Sequence, residues 1–108
     1  MRNWLHAEDT ASSIIKIIES GVVNEIYNIA GGFEQSNIVT VCKLINVLTD
    51  GGDYDILDYV DTSFSRVGQD LRYALDDSKL RSLGWSPEKV FDDEIVKIVN
   101  YYKNKFIW

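Results

Sequence analysis

Arg66-Val67-Gly68-Gln69-Asp70-Leu71-Arg72-Tyr73-Ala74-Leu75-Asp76 is the stretch on which the reading of this chain turns. Upstream of it the pattern alternates between strand and helix; downstream it is helical. Two of the four arginines fall here, in a chain of 108 residues with net charge −6. A third, Arg2, opens the chain. All three lie in segments that read as strand or loop, whereas the lysines fall in or beside helical segments. A guanidinium is a rigid fork that matches phosphate or carboxylate with two parallel hydrogen bonds, and lysine mostly solvates a surface. Gly68 lets the backbone turn tightly or approach a ligand closely. Two readings stand side by side: a local anion site, or Arg66 and Arg72 paired with Asp61, Asp70 or Asp76 across a loop.

With 45% hydrophobic residues, the length fits one domain with a modest core. One proline, no low-complexity tract and no long run of like charge argue against disorder. A pI near 4.6 argues against nucleic acid, whose phosphates demand a basic face. No apolar run is long enough to cross a bilayer, and Met1-Arg2-Asn3-Trp4 does not open a signal peptide. These features predict a soluble cytoplasmic protein with no membrane partner. Cys42 is the single cysteine and His6 the single histidine, which leaves no internal disulfide and speaks against a metal site.

Residues 2–7 read as a short strand or extended lead-in. Glu8, Asp9 and Thr10 then supply a cap and first-turn acid for a helix to about Ser20, with Ala11, Ile14, Ile15 and Ile18 on its apolar face and Gly21 as its stop. Glu25–Ala30 is the clearest strand pattern, closed by a plain turn at Gly31-Gly32. Ser36 or Asn37 caps a second helix to about Leu48, with Ile38, Val41, Cys42, Ile45 and Leu48 or Thr49 forming its apolar face. Asp50-Gly51-Gly52-Asp53 makes a turn, and Tyr54–Val60 reads as a possible strand. Asp76 or Asp77 caps a short helix, Ser78 to Leu83, ended by Gly84. The last helix runs from about Phe91 to Lys105, with a stripe of Ile95, Ile98, Val99, Tyr102 and Phe106. His6 reads as a packing or hydrogen-bonding residue, since no partner for catalysis is evident.

Four motifs, in this order, resemble a known family. Arg2-x-Trp4-Leu5-His6-x-Glu8-Asp9 resembles the segment that opens the substrate-binding part of nucleotide-sugar dehydratases, most closely the dTDP-glucose 4,6-dehydratases of the extended short-chain dehydrogenase group. Tyr27-Asn28-Ile29-x-Gly31-Gly32-x-Glu34-x-x-Asn37 is similar to that family's next motif, and Arg66-x-Gly68-x-Asp70-x-Arg72-Tyr73-x-x-Asp76 to its third. Leu83-Gly84-Trp85-x-Pro87 with Phe91 to Trp108 is similar to its C-terminal end, so the resemblance covers essentially the whole chain. It implies that Arg2, Asn37 and Arg66 contact a diphosphate and its surroundings, and that Gln69 stands where the family has a histidine. Where the family reads Arg-Pro-Gly-His-Asp, this chain has Val67, which frees the backbone angle a proline would fix, and Gln69, which hydrogen-bonds but carries no charge. Thr10 likewise replaces a common histidine.

The family's chemistry, oxidation and reduction around bound NAD with elimination of water, belongs by the same resemblance to an N-terminal nucleotide-binding domain. This chain has no Gly-rich loop between a strand and a helix to hold NAD, so no cofactor is expected in it. Tyr101-x-x-x-Lys105 has the spacing of the family's catalytic pair but lies on the C-terminal helix, outside the context that gives the spacing meaning. The expectation is therefore one partial domain over residues 1–108, α/β or, in isolation, α+β, with three or four helices and a few short strands. It would bind a nucleoside diphosphate sugar such as dTDP- or UDP-glucose and not catalyse alone. The alternatives are a stand-alone binding or self-associating module and a degenerate remnant. Apolar surface is expected to be exposed, and to be covered by homodimerisation, with exchange of a terminal segment as one route, or by a separate Rossmann-domain partner.

Overall fold

Two residues of strand tie the two ends of the N-terminal half together. In the computed structural model, which describes residues 1–69 and 71–105, β1 (Arg2–Asn3) pairs antiparallel with β2 (Glu34–Gln35), Arg2 opposite Gln35 and Asn3 opposite Glu34. Between them lies α1 (Ala7–Ser20); after β2 come α2 (Asn37–Leu48), a 3-10 turn (Ile56–Asp58), α3 (Ser78–Arg81) and α4 (Phe91–Tyr102). α2 packs against α4, and the result is a small mixed α/β arrangement. Segment 71–73 runs beside β1 on its other side. The Met1 ammonium donates to the Leu71 carbonyl, Tyr73 N–H to Met1 O, and the Asn3 amide to Tyr73 O.

α2 is capped by the Ser36 hydroxyl, which accepts the Val39 N–H. α1 begins earlier than its acids suggest: the cap is His6, whose Nδ1 accepts the Glu8 N–H at 3.0 Å. Glu8, Asp9 and Thr10 all lie inside the helix. Gly21 ends it with φ −75°, and the residue must be glycine for a different reason than handedness, because a Cβ there would come within 2.5 Å of the Ile17 carbonyl oxygen. α3 stops at Arg81, with Leu83 and Gly84 in the turn that follows; its N-cap is Asp77, whose side chain makes no capping bond, and the preceding Asp76 accepts the Ser78 N–H. α4 ends at Tyr102, three residues short of expectation, and Asp70, Phe106 and Trp108 lie outside the described residues.

Two expected strands are absent. Glu25–Ala30 pairs with no neighbour among the described residues, and a strand exists only where a ladder partner lies alongside it. At Tyr54–Val60 local capping wins instead: the Asp55 carboxylate accepts the Leu57 N–H and closes a 3-10 turn. The Tyr54 hydroxyl then pins this loop to α2 through the Cys42 carbonyl.

The apolar stripe of α1 faces outward. Asp9 and Ser13 are its buried residues, whereas Ile14, Ile15 and Ile18 face solvent, Ile18 with 78% of its surface exposed. The inner side of the helix is held by polar bonds. Trp85 Nε1 donates to Ser12 Oγ at 3.0 Å, and the Asp9 carboxylate accepts the Glu88 and Lys89 N–H groups at 3.0 Å each. The buried apolar residues are few: Ala30, Ile45, Leu80, Trp85 and Val99, from scattered parts of the chain. Cys42, expected inside, is half-buried, and on α2 the buried residues are Thr40 and Ile45. A compact chain of this length has a radius of gyration of about 13 Å; here it is 17.1 Å. The chain is spread thin around a small core.

Candidate functional site

The strand pair and segment 71–73 make a narrow platform that gathers charged side chains. Arg2 projects from β1 over the Tyr73 ring, its guanidinium carbon 4.0 Å from the ring centroid. One Arg2 nitrogen reaches the Met1 carbonyl, and the other donors of the fork have no protein acceptor among the described residues. Arg72 reaches across to β2 and grips both oxygens of Glu34. The hydrogen bond and charge of Arg72 hold the Glu34 carboxyl below the usual glutamate range, and Glu34 in turn raises Arg72. Arg72 is thus in an ion pair, but not with any of the three expected aspartates. Asp61 instead accepts from Ser63 and Asp76 from Ser78; Asp70 lies outside the described residues.

Asn37 is the first residue of α2, two positions beyond Gln35, the β-partner of Arg2. Its own N–H and that of Ile38 carry no protein hydrogen bond among the described residues, as the first N–H groups of a helix have no intrahelical acceptor. Arg66 and Gln69 are the ends of a tight turn in which the Gln69 N–H donates to the Arg66 carbonyl. Gly68 has φ +78° and Val67 a negative φ, the pattern of a type II turn, in which glycine is favoured at the third position and proline suits the second. Val67 fills the proline position. Both polar side chains are exposed, and no hydrogen bond or ion pair joins them to Arg2 or Asn37 among the described residues. Arg2 thus lies on β1 and Asn37 at the start of α2, while Arg66 and Gln69 lie on the loop that leads into segment 71–73, and no hydrogen bond or ion pair joins any two of their side chains among the described residues.

A cavity of about 960 Å³ opens between residues 4–6 with the first turn of α1, α2 and α4, with Trp4, Phe33, Val41, Phe91 and Ile95 among its walls. Of the four expected site residues only Asn37 lines it. Its polar wall holds a pair that sequence reasoning missed: His6 Nε2 lies 3.5 Å from the Glu94 carboxylate, both side chains largely buried. Lys97, then Lys89 and His6, hold the Glu94 carboxyl low despite its burial. Because His6 Nδ1 accepts a backbone N–H, its Nε2 carries the proton toward Glu94. The imidazole caps a helix. Nothing in the sequence links positions 88 residues apart.

The Gly31-Gly32 turn does not fit NAD. An anion already occupies it: the Asp77 carboxylate accepts the Gly31 N–H at 2.8 Å while Arg81 holds the Gly31 carbonyl. Burial pushes the Asp77 carboxyl up, but Gly31 and Arg81 outweigh it and leave the group low. At the other notable spacing, the Lys105 ammonium sits 3.6 Å from the Tyr101 ring centroid, over its face. Among the described residues no His, Cys, Asp and Glu cluster could hold a metal ion, and no helix is long and apolar enough to cross a membrane.

No family model matches the chain. The low-salt glycan biosynthesis protein Agl12 of Haloferax volcanii is 36% identical over 102 residues, 94% of this chain and 31% of that protein. A dTDP-glucose 4,6-dehydratase of Escherichia coli is 36% identical over 118 aligned residues, covering the whole chain and 32% of the enzyme. The chain is a homologue of the C-terminal part of dTDP-glucose 4,6-dehydratases. The enzyme of the same name from Neisseria meningitidis, also 36% identical, aligns with the whole chain in the same way. This chain spans about a third of the length of these relatives, 31–32% of each. The match extends through the thin core and the exposed α1 stripe alike, so the sparse packing described above belongs to a sequence that its dehydratase relatives carry as part of a larger whole.

Proposed function

We propose that this chain is the nucleotide-sugar-binding portion of a dTDP-glucose 4,6-dehydratase-like enzyme, supplying diphosphate contacts and no catalysis of its own. The observations that support it best are the guanidinium fork of Arg2, largely unclaimed among the described residues, on β1, and the unbonded N–H groups at the start of α2, which directly follows β1's partner strand. A fork and a helix N-terminus together suit a ligand with two negative charges. Asn37 adds a side-chain amide, and Arg66 with Gln69 lie on an adjoining loop able to close over the ligand. The ligand class is a nucleoside diphosphate sugar: dTDP-glucose, which the names of the relatives carry, or UDP-glucose, its counterpart with another base. We further propose that the isolated chain covers its exposed apolar surface by homodimerising.

Calorimetric titration with dTDP, UDP and their glucose conjugates, at low and moderate salt, tests the binding reading. Binding that weakens with salt and is lost in Arg66→Ala is the expected result. No binding to any of the four ligands refutes a site that works within this chain.

A further inference from the structure

The cavity between residues 4–6, α2 and α4 is walled by one stripe of α4. Phe91, Ile95, Ile98 and Tyr102 recur at helical spacing and all line it, facing Val41 and Leu44 of α2. Ile98 keeps 40% of its surface exposed, so this wall is only partly covered. α4 stops at Tyr102, and residues 103–105 form a turn in which the Lys105 N–H donates to the Tyr102 carbonyl at 2.8 Å. The chain therefore leaves the helix axis at the rim of the cavity. The next three residues of the sequence, Phe106-Ile107-Trp108, are all large and apolar, and they lie outside the described residues.

We propose that Phe106-Ile107-Trp108 seats in the Tyr102 end of this cavity, against Ile98 and the α2 wall. Room is not limiting: about 960 Å³ lies within the ~300–1,000 Å³ of pockets that enclose a whole drug-sized molecule. Reach selects the end. Three residues extend about 10 Å at most, whereas Phe91 lies about 16 Å from Tyr102 along the helix. The segment thus arrives at Ile98 and not at the aromatic walls of Trp4 and Phe91. Tethering selects the occupant. A segment joined to the cavity's own wall by a short turn has an effective concentration of about millimolar or more, so at equal contact quality it displaces any separate molecule. Aromatic rings are the right contents for such a seat, since each buries roughly 150–250 Å² of apolar surface. The seat requires neither nucleotide-sugar binding nor self-association.

The test is nuclear magnetic resonance of the full chain. Trp4 and Trp85 donate their indole N–H groups within the chain, and the Trp108 ring is assigned by the loss of its signals in Trp108→Ser. The expected result is Overhauser contacts from the Phe106 or Trp108 ring protons to the methyl groups of Ile98 and of Val41 or Leu44. Removal of residues 106–108 should open the cavity, read as a rise in the fluorescence of 1-anilinonaphthalene-8-sulfonate with an unchanged circular dichroism spectrum. If the shortened chain loses its fold, the contacts in the unaltered chain still decide. Ring protons that touch none of those methyl groups overturn the proposal. Contacts seen only between labelled and unlabelled copies in a mixed sample overturn it too, because the occupant is then a second copy's segment. A folded, shortened chain whose dye fluorescence equals that of the full chain overturns it as well.

Discussion

Asp9 offers the sharpest test of how this chain holds together. Its side chain is buried, with 4% of the residue exposed, and each carboxylate oxygen accepts one backbone N–H, from Glu88 and from Lys89, at 3.0 Å. Those two bonds lock the lead-in to α4 onto the first turn of α1, joining positions 79 and 80 residues apart. Asp9→Asn keeps the shape but presents one amide N–H₂ to a backbone donor. One charge-assisted bond is lost and one donor faces another, so a cost of about 2 kcal/mol is expected. Asp9→Ala strands both N–H groups and costs about 4 kcal/mol on the same reckoning. A domain of this size has about 5–15 kcal/mol of total stability and a midpoint that moves about 4–8 °C per kcal/mol. The asparagine variant should therefore melt roughly 8–16 °C lower. Thermal and urea unfolding followed by circular dichroism measure this, and hydrogen exchange should show the Glu88 and Lys89 amides losing protection. Glu8→Gln removes the same charge one residue away from an exposed surface pair with Lys89, and should barely move the midpoint. If Asn, Ala and the Glu8 control all fall together, the carboxylate is not a clamp and the reasoning fails.

Leu80 is fully buried, so Leu80→Ala should cost about 3 kcal/mol in a urea titration, whereas Ile18→Ser on the outward stripe of α1 should change monomer stability by less than about 0.5 kcal/mol. Acid should unfold the chain along a defined window. Glu34, held low by Arg72, contributes stability that is complete above the ordinary glutamate value of 4.5 and is lost as pH falls through its depressed folded value. Stability is then flat in this contribution from neutral pH to about 5 and declines below 4.5, and Arg72→Ala removes that part of the decline. An acid titration of Arg72→Ala superimposable on that of the unaltered chain would refute the pairing.

The sequence disclosed the elements whose causes are local. α2 and its Ser36 cap, the breaks at Gly31-Gly32 and Gly51-Gly52, and the α3–Gly84 unit all follow from side chains acting on backbone a few residues away. What it could not disclose depends on distant company. The pattern of Glu25–Ala30 is right for a strand, yet whether a strand forms depends on what lies beside it. The stripe of α1 is right for burial, yet nothing in a helix's own period says whether its apolar side meets its own chain or another. For the candidate site, Arg2 lies on β1 and Asn37 opens α2, directly after β1's partner strand. Arg72 found Glu34 rather than a nearby aspartate because strand pairing, invisible in the local sequence, set Glu34 within reach. The His6–Glu94 pair and the Asp9 clamp were hidden for the same reason.

The hydrogen-bonded interior of α1 has a thermodynamic consequence. The heat capacity gained on unfolding rises with the apolar area newly wetted and falls with the polar area. Here unfolding wets few apolar groups, since so many are wet already, while it releases Asp9, Ser13, Gln35, Thr40 and Asp77 from burial. The increment should thus lie below the usual ~12–15 cal/mol/K per residue. A small increment flattens the curve of stability against temperature, so the chain alone would soften gradually on warming and change little on cooling. Covering its apolar faces with a second copy would restore the missing curvature, so that the shape of the stability curve, and not only its height, depends on association.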